Sequence, residues 1–196
     1  MENILILGIG NILWADEGFG VRVAQALEQA YAFPPSVRVL DGGTQGLALL
    51  PQVQQAEVLI ILDAVDFQLP PGTLVELHDA DVPAYLGAKK MSLHQVSFQE
   101  VLALCLLLGN CPAKLFLVGV QPAVLEDYGG SLSPVVREQM PAAMGRVLAY
   151  LAALGITPAL QPSTVETGHG AVGMEEYERL RPSAEQACRV GDGRFL

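Results

Sequence analysis

Residues 3–10 of the chain read NILILGIG, an unbroken aliphatic run that closes on glycine. A run without polar alternation is typical of a central parallel strand covered on both faces. Apolar residues then recur at near-helical spacing from Phe19 to Leu27, behind the acidic pair Asp16 and Glu17. Acidic residues suit the positive end of a helix dipole, so this stretch predicts a strand that turns directly into a helix.

The rest of the chain repeats this alternation of strands and helices. Strands are predicted at 37–40, 57–63 and 114–120, with an edge strand at 73–78. Helical segments are predicted at 45–50, where Pro51 would end the helix, and at 82–86, 92–108 and 133–154. We therefore expect an α/β fold: a three-layer sandwich with a mostly parallel, twisted sheet of about five strands and helices on both faces.

The composition changes near residue 163. The aliphatic runs stop there, and the last 34 positions hold 10 of the 32 charged residues. We predict a single α/β domain over 1–162 and a polar C-terminal tail over 163–196 that is ordered only if it docks.

Charge and hydropathy exclude several classes of protein. The net charge is -10 with no visible basic patch, which disfavours binding to nucleic acid or to anionic lipid. The N-terminal run lacks the basic residues of a signal peptide, and the apolar run 101–108 is too short to span a bilayer. Cys105, Cys111 and Cys188 share no metal-binding spacing, so we expect a reducing, cytoplasmic setting without membrane insertion.

Three ionisable residues are predicted at the carboxyl ends of strands, where open α/β sheets bind ligands. Glu17 follows the first strand, Asp63 ends the strand at 57–63, and His94 lies at the start of the helix at 92–108. A helix start disfavours the imidazolium, and neutral imidazole is the metal-binding form. Two carboxylates and one imidazole would form a three-ligand site suited to zinc, iron or nickel. Taken singly, each residue also fits a plain role as a first-turn acid, a loop cap or a surface residue.

Other patterns are weaker. Gly8 and Gly10 resemble the start of a dinucleotide fingerprint, but Leu13 stands where its third glycine is required. The segment Asp41, Gly42, Gly43 and Thr44 follows a strand and would either shape the same edge or form a plain turn. Trp14 would either anchor a partner or cover the sheet end.

Residues 8–22, GIGNILWADEGFGVR, closely resemble the opening motif of the hydrogenase maturation proteases. Further similar blocks are the segment from Asp41 to Thr44, the Leu62-Asp63-Ala64 strand end, KMSLHQ at 90–95 and VGVQP at 118–122. The resemblance covers about residues 2–155. Trp14 and the Tyr128-Gly129-Gly130-Ser131 segment resemble the branch that serves membrane-associated uptake hydrogenases.

The resemblance implies an endopeptidase of aspartyl or metal-dependent type, whose partner is its protein substrate. Such enzymes remove the C-terminal extension from the precursor of the nickel-iron hydrogenase large subunit after nickel insertion. It also implies that Glu17, Asp63 and His94 bind metal, the same residues that the strand ends indicate. The nickel would be carried by the substrate, although zinc or cadmium could substitute at the site. We assign substrate contact to the segment Asp41, Gly42, Gly43 and Thr44, and expect a monomer.

The sequence does not decide between two mechanisms of cleavage, and it leaves two rival functions open. A metal held by Glu17, Asp63 and His94 could polarise the scissile carbonyl, or lower the pKa of a bound water towards ~7. Alternatively, the metal is only a docking point and Asp63 or Glu17 is the general base. The rival functions are a zinc-dependent hydrolase of another substrate and a non-catalytic hydrogenase assembly chaperone.

Overall fold

The computed structural model describes residues 2–88, 93–161 and 174–180. Its strands are β1 (Ile4–Ile9), β2 (Tyr31–Ala32), β3 (Val37–Gly43), β4 (Val58–Ala64), β5 (Leu74–His78), β6 (Lys114–Val120) and β7 (Ala159–Leu160). Its α-helices are α1 (Phe19–Ala30), α2 (Leu50–Gln54), α3 (Asp81–Ala88), α4 (Leu93–Leu108), α5 (Pro134–Arg137), α6 (Met140–Ala153) and α7 (Met174–Leu180). Short 3-10 turns cover Ala15–Gly18 and Gly46–Leu49.

Five strands form the central sheet in the order β3-β1-β4-β6-β5. The first four are parallel, and β5 pairs antiparallel with β6 at the edge. The inner strands β1 and β4 are buried along their whole length, as their aliphatic runs predict. The expected α/β class and mostly parallel five-stranded sheet are confirmed.

The alternation of side chains along the strands divides the core between two helical layers. Ile6, Ile60 and Leu62 face α1 and α6. Leu7 and Ile61 face the opposite layer, which is formed by α2 and α4 with the 3-10 turn Gly46–Leu49. The molecule is therefore the three-layer sandwich expected from the sequence.

Two helix predictions were wrong in detail, and proline explains both. The segment predicted as a helix over 45–50 is the 3-10 turn Gly46–Leu49, and it continues into α2 with Pro51 in the first turn. Proline is tolerated there because its missing N–H has no partner in the first turn anyway. The helix predicted over 133–154 is divided into α5 and α6, because Pro141 cannot donate to the carbonyl of Arg137.

A two-stranded ribbon of β2 and β7 ties residues 159–160 to the end of α1. The Gln161 backbone N–H adds a hydrogen bond to the carbonyl of Ala30 (2.9 Å). The predicted domain boundary at 162 lies outside the described residues and stays a prediction, and of the predicted tail only α7 is described. In the described residues, no helix is both long and apolar enough to cross a membrane.

Candidate active site at the carboxyl ends of the strands

A glycine turn holds Glu17 against the end of β1. Gly10 has φ +125°, and a Cβ there would lie 1.7 Å from the carbonyl oxygen of Glu17. Only glycine allows this backbone angle and this approach without displacing the chain. The turn therefore fixes the backbone of Glu17, whose side chain is half-buried, beside the first strand end.

A second glycine contact brings α1 close to the neighbouring strand. A Cβ on Gly20 would lie 2.0 Å from the carbonyl oxygen of Leu62 and 2.5 Å from that of Ile9. The first turn of α1 therefore packs directly on the backbone at the ends of β1 and β4. The 3-10 turn Ala15–Gly18 also contacts β4, which places Glu17 near the strand that carries Asp63.

Asp63 is the penultimate residue of β4, opposite Gly119 of β6 in the register. Its side chain is only 5% exposed. Because side chains alternate along a strand, Asp63 lies on the same face as Leu59 and Ile61, the face covered by α4. A buried carboxylate at the end of a central strand is unusual, and it points to a functional role.

The backbone of His94 lies in the first turn of α4. This helix leads into β6, whose first residue Lys114 pairs with Val58 at the opposite, amino-terminal edge of the sheet. The 16 residues of α4 span about 24 Å, close to the ~23 Å of a seven-residue strand, so the helix start returns to the carboxyl edge. The side chain of His94 lies outside the described parts of the chain.

The three predicted metal ligands therefore share one edge of the sheet at the level of the backbone. Among the described side chains, no group of three or more His, Cys, Asp and Glu residues could hold a metal ion, and His94 is not in that set. Glu17 and Asp63 supply oxygen donors that suit a divalent metal, and an imidazole would extend the set towards nickel or zinc. The three-ligand site stays a prediction.

The segment from Asp41 to Thr44 forms a bulge at the same edge. Asp41 lies opposite Gly8 and Gly43 lies opposite Ile9, so Gly42 is the extra residue. The Gly43 carbonyl accepts a hydrogen bond from the Gly10 N–H (3.1 Å), and the Asp41 carboxylate accepts one from Gln25 (3.3 Å). The segment thus borders the Glu17 turn, and its contact with substrate stays a prediction.

Asp16 has a role that the sequence did not reveal. Its fully buried carboxylate accepts hydrogen bonds from the backbone N–H groups of Ala123 (2.8 Å), Val124 (2.8 Å) and Ser133 (2.6 Å), and from the Ser133 hydroxyl (2.9 Å). The dipole argument placed Asp16 at the start of α1, whereas these bonds run to the loop after β6. Asp16, the residue before Glu17, is therefore fixed to that loop.

Gln121 plays the corresponding part for the chain that follows Asp63. Its Oε1 accepts hydrogen bonds from the N–H groups of Phe67 (2.7 Å) and Leu69 (3.2 Å), and its amide donates to Asp66 (3.1 Å). The side chain is buried. In the sequence, Gln121 lies directly after the β6 run and within the VGVQP block, and neither feature revealed this supporting role.

Exposed apolar side chains occur on the described loops that follow β1, β3, β4 and β6 at the carboxyl edge. We call this set the apolar rim; it consists of Leu13 (40% exposed), Leu47 (49%), Leu69 (42%), Val124 (42%) and Tyr128 (50%). Trp14 is half-buried and packs edge-on against Tyr128, with ring centroids 5.3 Å apart. Trp14 thus supports the loop at Tyr128 within the rim.

The described cysteines are poor nucleophiles. Cys105 is buried in the core, and Cys111 is half-buried. Burial raises the pKa of both thiols, which disfavours the reactive thiolate. Cys188 lies outside the described residues.

Comparison with known proteins gives one consistent result. The family described as "Hydrogenase maturation protease" matches residues 21–150. The hydrogenase expression/formation protein HupD of Rhodobacter capsulatus is 52% identical over 197 residues, which cover 100% of this chain and 93% of that protein. The hydrogenase 2 maturation protease of Escherichia coli K12 is 46% identical over 78% of this chain and 93% of its own length. The solved structure of the E. coli hydrogenase maturating endopeptidase HybD superposes with a TM-score of 0.78 at 41% identity, over 84% of this chain and 100% of that one.

Proposed function

The chain belongs to the hydrogenase maturation protease family and is a peptidase, and from this premise we propose its substrate and the signal that it reads. The substrate is the precursor of a nickel-iron hydrogenase large subunit, from which the enzyme removes the C-terminal extension after nickel insertion. The observation that carries this proposal is the pairing at one sheet edge of the buried Asp63 with the Glu17 turn.

The apolar rim supports a polypeptide substrate. Its members lie on the loops that follow β1, β3, β4 and β6, so they border the candidate acids on several sides. Exposed apolar groups near a site are typical of protein–protein contact, whereas a small polar substrate would need a closed pocket. The rim gives the precursor a surface on which to dock.

The site residues divide between recognition and proton transfer. Glu17, Asp63 and His94 would hold the nickel that the precursor carries, so that only a loaded precursor is seated. One of the two carboxylates would accept a proton from the attacking water. The water oxygen then bonds to the scissile carbonyl carbon, the C–N bond breaks, and the leaving nitrogen takes a proton. When bound, the metal would stabilise negative charge on the carbonyl oxygen.

The decisive experiment incubates the purified protein with nickel-loaded and with nickel-free precursor and measures the mass of the large subunit. Cleavage of the loaded form alone is the expected result. Equal cleavage of both forms would rule out nickel as the signal. Binding without any loss of mass would instead identify an assembly chaperone, and activity that follows zinc bound to the purified protein would identify a resident-zinc hydrolase.

Isosteric variants separate the two carboxylates. We expect Asp63→Asn and Glu17→Gln each to reduce cleavage of the loaded precursor at least about a hundredfold, since each removes a metal-binding or proton-accepting oxygen. The variant that still binds the loaded precursor but does not cleave it identifies the base. His94→Ala should also abolish processing without unfolding the chain. Glu28→Gln, at an exposed position of α1, is the control.

Normal cleavage by both Asp63→Asn and His94→Ala would contradict the site assignment. Circular dichroism and thermal unfolding of each variant distinguish lost chemistry from lost folding. We keep the cytoplasmic setting and the monomeric state as predictions, to be checked by cell fractionation and by light scattering.

A further inference from the structure

The short helix α7 bridges two separate parts of the candidate active-site edge. On one side, a Glu178 carboxylate oxygen accepts hydrogen bonds from the Ser131 hydroxyl (2.6 Å) and from Arg137 (2.9 Å). The Tyr177 hydroxyl donates to the carbonyl of Gly130 (3.4 Å). These contacts join α7 to the loop after β6 and to the last residue of α5.

Helix α7 also contacts α1. The Arg22 guanidinium lies 5.3 Å from the centre of the Tyr177 ring, within the range of a cation–π contact. Arg22 is only 4% exposed, and it donates to Gln25 (3.0 Å), which in turn donates to Asp41 (3.3 Å). Burial lowers the pKa of Arg22, while Tyr177, Asp41 and Glu178 act in the opposite direction. Arginine stays protonated in either case, so the contact joins a cation to an aromatic face.

Both contacts lead to parts of the edge that the precursor would meet. The loop held by Glu178 contains Tyr128 of the apolar rim and ends at Ser133, which is bonded to Asp16 beside Glu17. The chain of contacts through Arg22 ends at Asp41 in the predicted substrate-binding segment. One helix of the tail therefore touches the supports on two sides of the site.

We propose that α7 is a positioning element for precursor docking: it holds the loop 128–133 and the Arg22 side chain in the arrangement that the large-subunit precursor binds. This inference rests on the proposed function. The E. coli endopeptidase is matched in full by only part of this chain, whereas the Rhodobacter relative spans all of it. Because α7 contacts the supports of the site and no predicted catalytic residue, it should affect the KM for the precursor rather than kcat.

The test uses the full-length protein with Glu178→Ala, and with Glu176→Ala as the matched control, since Glu176 is exposed on the same helix. In Glu178→Ala we expect backbone amides 129–133 to exchange hydrogen about fivefold faster and KM to rise about fivefold, because the variant loses the partly exposed hydrogen bonds from Ser131 and Arg137. Glu176→Ala should change neither quantity. The kcat should stay within about twofold, because Glu178 touches no reacting atom.

A charge exchange provides a stricter criterion. Arg137→Glu alone should raise KM like Glu178→Ala, and combining it with Glu178→Arg should restore most of the binding. Unchanged exchange or unchanged KM in Glu178→Ala would overturn the inference, as would an equal effect in Glu176→Ala. Cleavage by the wild-type protein tests the proposed function separately, so failure of that function is distinguishable from failure of the α7 role.

Discussion

Asp16 anchors the chain next to Glu17 to the loop after β6. A fully buried carboxylate is costly unless its oxygens are satisfied, and here both oxygens accept hydrogen bonds from the loop after β6. The bonds between its oxygens and backbone N–H groups are of the charge-assisted kind, which are stronger than neutral ones. Asp16 thus supports the backbone beside Glu17, which is one of the two candidate bases.

We predict that Asp16→Asn destabilises the protein by about 3 kcal/mol, because the amide group faces N–H donors where an acceptor is required. Urea denaturation of the wild type and the variant gives this value. Glu126→Gln, at an exposed position of the same loop, should change stability by less than about 0.5 kcal/mol. A similar stability for Asp16→Asn and the wild type would show that its hydrogen bonds contribute little.

The candidate acids could be predicted from the sequence because each lies near the end of an aliphatic run. Glu17 follows the β1 run, and Asp63 ends the β4 run. Asp16 and Gln121 could not be assigned their supporting roles, since their partners are distant in sequence: Ser133 is 117 residues from Asp16, and Phe67 is 54 from Gln121. The local sequence pattern does not indicate which distant residues will form hydrogen bonds with each other.

At the level of elements, the sheet was predictable and the exact ends of the helices were not. Buried parallel strands need apolar side chains on both faces, which leaves a continuous run such as that of β4 in the sequence. Proline has two opposite effects: it ends a helix from within but begins one at the first turn. Pro51 and Pro141 both lie in first turns, and the rule for helix ends alone does not distinguish these cases.

The contact of α1 with the sheet yields a prediction from two helical glycines. Gly20→Ala should lower the free energy of unfolding by at least about 2 kcal/mol, because the new Cβ would overlap the carbonyl oxygens of Leu62 and Ile9. It should also reduce precursor cleavage, since a displaced α1 moves Glu17. The Cβ of Gly145→Ala, in the middle of α6, would meet no atom within 4 Å. That control should instead gain about 0.5–1 kcal/mol, because alanine favours a helix. Thermal unfolding of both variants checks the difference in sign.

On the scale of the whole molecule, the two edges of the sheet expose different groups: candidate acids accompany the apolar side chains at one edge only. The carboxyl edge combines the apolar rim with Glu17 and Asp63, whereas the amino-terminal edge shows Leu106, Leu107 and Leu108 at the end of α4. The net charge of -10 repels polyanions from the molecule as a whole. Because the carboxyl edge exposes the apolar rim, we expect docking of a protein there to depend on apolar contact more than on long-range electrostatic attraction.

Two leucines of similar exposure, on opposite edges, test which surface receives the precursor. Leu47 belongs to the apolar rim and is 49% exposed, while Leu106 is 54% exposed at the far end of α4. Burying the remaining half of a leucine side chain at an interface contributes about 1 kcal/mol, which corresponds to about a fivefold change in affinity. We therefore expect Leu47→Ser to raise the KM for the nickel-loaded precursor about fivefold and Leu106→Ser to leave it unchanged. Steady-state cleavage measured at low and at high salt separates this contact from charge effects, because apolar docking weakens little with added salt. A larger effect from Leu106→Ser than from Leu47→Ser would place the docking surface at the opposite edge, away from Asp63.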